Sequence, residues 1–494
     1  MRVSLVQAPV FDHRTPSNAL ALLAALLKRE NIETRIHDAN KCISSKFEEM
    51  LSGKINDART LTPVFGHHKD TMERLLDEEA THILASDPDA VGFSVLARTE
   101  KHSLDLARRI KRERPSTRII FGGAQCLREN LAEEFIRHQA VDAVALSEAD
   151  ISFPTFLRSL KDGGSGLRAT PGMLVKENGG IVDGGDPPAV ADLDSLPFLD
   201  FEQFDLEAYN GDILYLSTTR GCVRKCSFCT HILGQKVYRT MSAKRTVAEI
   251  RHQIDLHPER RIIEFNDSLV NGNVRRLAEI ADLLIDYRLE RVTTGRHASK
   301  DFGWLGMAIL HPTMTPELLR KLRFSGCIKL KYGMESASQK VLDSMQKKLR
   351  VADAERVIFD TWRAGISVFL FILVGFPTES ESDFQQTLDF IERNVKFIDH
   401  VGVSSCEIQK GSHMDAHPEL YGIKTPIEDR LRWSTSDGRN RYEIRQDRLG
   451  RMQKLLRRLN LLQYEFPTRL GITLDKEPEY NFYESIEAAP AEAP

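Results

Sequence analysis

Cysteine is scarce in this chain. Seven among 494 residues are too few for a disulfide framework in a protein of this size. No apolar run reaches the ~18–20 residues needed to cross a bilayer. The opening MRVSLVQAPV lacks the apolar stretch between a charged start and a cleavage site that marks a signal peptide. An excess of one charge is missing too. Lys and Arg total 68 against 71 Asp and Glu, a formal net charge of −3, so nucleic acid is not an expected partner. The basic stretch Arg108–Arg114 reads as the solvated face of a helix. These absences point to a cytoplasmic protein without a membrane span.

What is present is ordinary in bulk: 41% hydrophobic and 28% charged residues, as in globular proteins generally. The length calls for two or three domains. In residues 1–160 short apolar runs alternate with helical periodicity. Strands are predicted at Val3–Gln7, Thr34–His37, Ala90–Ser94, Arg118–Phe121 and Val141–Ala145. Helices are predicted near Ala19–Glu30, Thr71–Ile83, Lys101–Arg114, Arg128–His138 and Ile151–Leu160. Each parallel crossover needs a helix, so this alternation predicts an α/β, flavodoxin-like doubly wound domain with ligands beyond the strand C-termini.

Residues 161–211 read as a hairpin and linker: KDGGSG at Lys161–Gly166, paired strands Gly172–Lys176 and Ile181–Asp183, then a Pro-, Asp- and Gly-rich stretch. Over 212–408 a second alternation begins. Its strands are predicted at Ile213–Ser217, Arg261–Asn266, Val292–Gly295, Ile328–Gly333, Ser367–Val374 and His400–Ser404. Six β/α units predict a partial (β/α)6 barrel with chemistry at its strand C-termini. A mainly helical extension, 409–484, follows with a helix at Leu449–Leu462, and the tail 485–494 is predicted to be disordered.

Three of the seven cysteines cluster just past the first barrel strand, as Cys222-x3-Cys226-x2-Cys229. Three thiolates on one short loop can bind three corners of a cubane [4Fe-4S] cluster and leave the fourth iron open to a small chelating ligand. Gly221 permits a tight turn, and Arg224 and Lys225 favour thiolate over thiol. Because His231 follows closely, a Cys3His zinc site is the rival reading. Cys42, Cys126, Cys327 and Cys406 are scattered and read as small buried apolar residues. Trp304, Trp362 and Trp433 read as packing anchors.

The run Cys-x3-Cys-x-Phe-Cys resembles the signature of the radical SAM superfamily. That resemblance implies a cluster that chelates S-adenosylmethionine (SAM), accepts an electron from a donor such as flavodoxin or ferredoxin, and cleaves SAM to a 5′-deoxyadenosyl radical. Phe228 matches the aromatic residue before the third cysteine. Tyr332-Gly333-Met334-Glu335-Ser336 resembles the G-x-E-S element, which sets Glu335 toward the ribose or amino group of SAM. Gly375-Phe376-Pro377 resembles the element along the adenine. Glu264–Ser268 resembles the element that puts Asp267 near the methionyl group or the substrate.

Residues 1–160 resemble the cobalamin-binding domain found before such barrels in one large subgroup, through Val91–Ser94, Phe121–Ala124 and Val141–Val144. The resemblance covers about residues 1–405. It implies contacts from Ser94, Gly122, Gly123, Ser147 and Glu148. In place of the subgroup's G-E-G-E turn this chain has Leu146-Ser147-Glu148-Ala149-Asp150, without glycines. The Asp-x-His-x-x-Gly motif that ligates cobalt is absent, and His13 is expected to face solvent. The implied function is cobalamin-dependent methylation of an unactivated carbon, or of phosphorus, in a small-molecule substrate. The alternatives are a non-methylating radical rearrangement, ring formation or oxidation on the same scaffold, an RNA-modifying methylthiotransferase, or a zinc- or corrinoid-binding non-enzyme. Trp433, Arg439, Asn440 and Arg445 are expected to cap the barrel mouth.

Overall fold

The computed structural model describes residues 1–50, 65, 67–163, 170–209, 211–293 and 301–461. Its first sheet contains β1 (Arg2–Val6), β2 (Glu33–His37), β3 (Ala90–Ser94), β4 (Arg118–Gly122), β5 (Ala143–Ala145), β6 (Met173–Glu177) and β7 (Gly180–Asp183), in the order β2-β1-β3-β4-β5-β6-β7. The first five are parallel and keep the 2-1-3-4-5 order of flavodoxin-like folds. The predicted hairpin forms, but not as part of a free linker. β6 pairs antiparallel with β5, Ala143 opposite Val175 and Ala145 opposite Met173, and so extends the sheet.

Helix Ala39–Met50 was not expected from so polar a stretch. Its buried Ala39, Ile43 and Phe47 nevertheless recur every four residues, the period of one helical face. Two further expectations need correction. His13 is 1% exposed rather than solvent-facing, and Cys42 is exposed while Cys126, Cys327 and Cys406 are buried.

The second sheet is the barrel wall. β8 (Ile213–Leu216), β11 (Ile262–Phe265), β12 (Gly303–Ala308), β13 (Cys327–Glu335), β14 (Ser367–Val374) and β15 (His400–Ser405) lie side by side in that order, all parallel. Two-residue strands β9 (Thr219–Arg220) and β10 (Arg239–Thr240) form a separate antiparallel ribbon. The third barrel strand is not at Val292–Gly295. Helix Val274–Thr293 runs through Val292 and Thr293, and residues 294 and 295 lie outside the described residues. The strand is β12, GWLGMA, a glycine-interrupted run with no β-branched residue to announce it. Packing demands those glycines. A Cβ on Gly303 would sit 2.8 Å from Ile328 Cγ2, and one on Gly306 2.6 Å from Val270 Cγ1.

One apolar core runs through both domains. It takes in Val3, Leu5 and Phe153 beside Leu214, Ile263 and Leu330. After β15 the chain makes short turns of helix at His413–Ala416 and Pro418–Tyr421, then the helix Tyr442–Arg458, seven residues earlier at its start than Leu449. The 485–494 tail lies outside the described residues. Among those residues no helix is long and apolar enough to cross a membrane.

Candidate active site

The cluster loop starts at β9 and returns at β10, with Arg220 opposite Arg239. Cys222, Cys226 and Cys229 sit on it as free, half-buried thiols. Gly221 has φ +78°, and a Cβ there would lie 2.8 Å from the carbonyl oxygens of Gln235 and Val237. Only glycine suits so tight an entry. The Gly221 N–H donates to Gln235 Oε1 at 2.6 Å. Ser227 N–H donates to the Met345 carbonyl at 3.0 Å, and Ser227's own carbonyl accepts from Met414 N–H at 3.0 Å. The loop is thus tied to the segment after β13 and to the C-terminal region.

That segment brings in a residue the sequence reading missed. Lys347 Nζ lies 2.8 Å from Glu335 Oε1 and 5.8 Å from the Phe228 ring centroid, with only 10% of its side chain exposed. Burial pushes the Cys226 and Cys229 thiols up; Lys347 opposes this at Cys226, and a backbone hydrogen bond from His231, with Lys347 behind it, opposes it at Cys229. Arg224 also lowers Cys226, behind Lys347. Glu335 adopts φ +65° at a register shift in β13. Such a bulge re-aims a side chain. Gly333 leaves the room: a Cβ there would lie 2.6 Å from Glu335 Oε1 and 2.8 Å from Lys347 Nζ. The only sequence signal was a Lys-Lys pair shortly after the G-x-E-S element.

Asp267 is buried and accepts three hydrogen bonds, from Thr218 N–H at 2.7 Å, Thr218 Oγ1 at 2.7 Å and Thr219 N–H at 2.8 Å. Arg276 braces the same threonine, donating to Thr218 Oγ1 at 2.9 Å. Asp267 therefore locks the backbone that leads into the cluster loop. Gly375 (φ +80°) packs on Arg445 and donates its N–H to Glu379 Oε2 at 2.8 Å. Asn440 Nδ2 donates to the Gly375 and Phe376 carbonyls at 3.1 and 2.8 Å, and Phe376 and Pro377 are buried. Arg445 stacks 3.9 Å over Trp433. Trp433, Asn440 and Arg445 thus brace this turn, which follows the C-terminal end of β14.

A cavity of about 1100 Å³ lies between the two domains, beyond the ~300–1,000 Å³ usual for small ligands. Ser94, Gly122, Gly123, Ser147 and Glu148 line it from the first sheet, and Asp267 and Glu264 from the barrel. The three cysteines, Phe228, Glu335 and Gly375–Pro377 are not among its walls, whereas His231 is. Gly123 has φ +103°, and a Cβ would meet Val95 O and N at 2.8 and 2.9 Å. Ser147 takes the left-handed conformation (φ +55°) despite the missing glycine, and its hydroxyl donates to the Gly234 carbonyl. Glu148 is engaged with Arg220 and Arg239. These ion pairs bridge the two domains.

Among the described residues no three His, Cys, Asp or Glu side chains gather around a point suited to one metal ion. Cubane ligation asks for less convergence, since each thiolate meets its own iron. Residues 216–391 match the family described as the radical SAM superfamily. They form a radical SAM domain. Such a domain implies a [4Fe-4S] cluster and SAM.

Among its relatives is a protein of Pyrococcus horikoshii named only as an uncharacterized methyltransferase, 22% identical over 62% of this chain and 64% of its own length. The cytidylyl-2-hydroxyethylphosphonate methyltransferase of Streptomyces wedmorensis is 24% identical over 78% of this chain and 75% of its own. A ribosomal protein uS12 methylthiotransferase, RimO of Desulfosudis oleivorans, is 27% identical over 41% of this chain and 46% of its own. The chain therefore spans less than two thirds of several curated relatives. Two solved structures share the fold across both domains. One is the cobalamin-dependent SAM radical enzyme OxsB (TM-score 0.64, 16% identity, 85% of this chain and 55% of that one). The other is the radical SAM methyltransferase TsrM of Kitasatospora setae (TM-score 0.64, 16% identity, 87% and 78%).

Proposed function

We propose that this chain is a corrinoid-dependent radical SAM methyltransferase that acts on a carbon or phosphorus centre of a small molecule. The observation that carries the reading is the large cavity shared by the C-terminal ends of β3, β4 and β5 and the top of the barrel. A doubly wound sheet binds its ligands at those strand ends, and a β/α barrel does its chemistry there. A ligand that fills such a space reaches both domains.

The residues fit the groups the reading requires. Three free thiols on one loop, faced by the Lys347 ammonium, suit an anionic cluster. Gly122 and Gly123 offer bare backbone at the end of β4, which suits close approach by a flat, bulky ring. When bound, the cluster and SAM supply one-electron cleavage of a sulfonium, and a corrinoid supplies a methyl carrier; the hard chemistry belongs to the cofactors. The chain's part is positioning and shielding. Cys222, Cys226 and Cys229 hold the cluster, Glu335 and the Gly375–Pro377 turn take SAM, and Ser94, Gly122 and Gly123 seat the corrinoid. Ser147 closes that seat through its bond to Gly234. An external donor of the flavodoxin or ferredoxin kind supplies the electron.

The names of the Pyrococcus and Streptomyces relatives favour methyl transfer. A methylthiotransferase is less suited: Cys42 and Cys126 are the only cysteines before the cluster loop, and they differ in exposure. The test is anaerobic. The reconstituted chain should bind hydroxocobalamin, seen by visible absorbance, and cleave SAM to 5′-deoxyadenosine. Isotopically labelled methyl from SAM should appear in a product. SAM cleavage without labelled product across candidate substrates would leave the radical chemistry and reject the transfer.

A further inference from the structure

The cluster loop is held at both ends by the other domain. Arg220 grips Asp150 through two hydrogen bonds, 2.6 and 2.8 Å, and meets Glu148 at 3.0 Å. Arg239, directly across the ribbon, engages both oxygens of Glu148 and the Val190 carbonyl. All four side chains are nearly dry, between 5% and 13% exposed. A third tie joins Ser147 Oγ to the Gly234 carbonyl inside the loop.

Two guanidinium groups and two carboxylates leave this cluster neutral. Buried ion pairs of this kind seldom stabilise more than apolar side chains of the same volume, and their best-attested use is to fix a register. The register fixed here is that of the cysteine loop. Arg220 lies two residues before Cys222, and Arg239 closes the same loop. Their partners stand on the turn after β5 that lines the cavity.

We propose that Arg220, Arg239, Glu148 and Asp150 form an interdomain latch of positioning residues, which holds the cluster loop in the geometry that SAM cleavage requires. Their side-chain hydrogen bonds and ion pairs run to one another and to the Val190 carbonyl; they act through the loop ends. The proposal rests on the cluster and SAM reading of the same loop.

Full-length Arg239→Gln, Asp150→Asn and the conservative Arg239→Lys are reconstituted beside the wild type. Three properties are read: iron and sulfide content, the EPR signal of the reduced cluster with and without SAM, and substrate-free 5′-deoxyadenosine formation with kcat and KM separated. R239Q and D150N should keep wild-type iron, lose at least tenfold in kcat, and show an altered SAM-dependent EPR shift. R239K should recover to within threefold. Wild-type rate and EPR in R239Q overturn the latch, as does an R239K no better than R239Q. Loss of iron from both R239Q and D150N assigns the four residues to folding and also overturns it. A wild-type chain that takes up no cluster removes the latch and the reading beneath it together, and is recognised because the variants are not needed to see it.

Discussion

Gly123→Ala is expected to damage the fold, whereas Gly122→Ala is expected to damage only ligand binding. Gly123 sits at φ +103°, where a residue with a Cβ pays roughly 1–3 kcal/mol in backbone strain. The new methyl would also lie 2.8 Å from Val95 O and 2.9 Å from Val95 N. The neighbour cannot withdraw, because Val95 N–H is bonded to the Gly122 carbonyl at 2.6 Å. Forced overpacking of this kind costs about 1–3 kcal/mol, so the total is about 2–6 kcal/mol against the ~5–15 kcal/mol typical of a domain. At Gly122 the added Cβ meets Ala145 Cβ at an ordinary 3.6 Å, and under ~1 kcal/mol should be lost. Urea unfolding followed by circular dichroism reads the first effect, as a lower midpoint at unchanged slope. Hydroxocobalamin titration reads the second, as at least a tenfold weaker Kd for G122A. G123A unfolding at the wild-type midpoint would refute the strain argument. G122A binding corrinoid like wild type would refute the cradle.

Removal of Asp267 strands Thr218 N–H and Thr219 N–H in a buried place. At ~1–3 kcal/mol for each unmet donor, Asp267→Ala should lose about 2–6 kcal/mol and lower iron retention; an unchanged Tm with full iron contradicts its role as the lock. Burial holds His37 and His102 at about 4, below the ~6.5 of an unfolded histidine. The unfolded chain therefore binds more protons between those values, and stability present above pH 6.5 is lost as pH falls toward 4. At pH 5 each histidine costs up to about 2 kcal/mol, and a urea midpoint that stays level between pH 7 and 5 rules this out. Ala at Cys222, Cys226 or Cys229 should end SAM cleavage while far-UV circular dichroism is kept. A variant with full cleavage removes that cysteine from the ligand set.

Much of the fold was legible because its signals are local. Alternation of apolar runs with helical periodicity located the first five strands to within two residues, and the three cysteines announced their loop by spacing alone. What escaped was set by distant contacts. β12 carries two glycines because Ile328 and Val270 press on them, so its composition argues against a strand. Lys347 becomes important only when Met345 bonds back to Ser227 and brings it beside the thiols. That Glu148 also pairs with the two arginines that flank the cluster loop is a contact between distant segments, which no local pattern announces. His13 gave no sign of burial, since a histidine after a strand is polar in sequence whichever way it turns.

The most direct experiment is Mössbauer spectroscopy with iron, sulfide and zinc analysis on the chain purified without oxygen and reconstituted with ⁵⁷Fe. A cubane on Cys222, Cys226 and Cys229 predicts roughly four irons and four sulfides per chain, with one iron whose signal changes when SAM is added. One tightly held zinc with no iron, or a cluster spectrum indifferent to SAM, would contradict it.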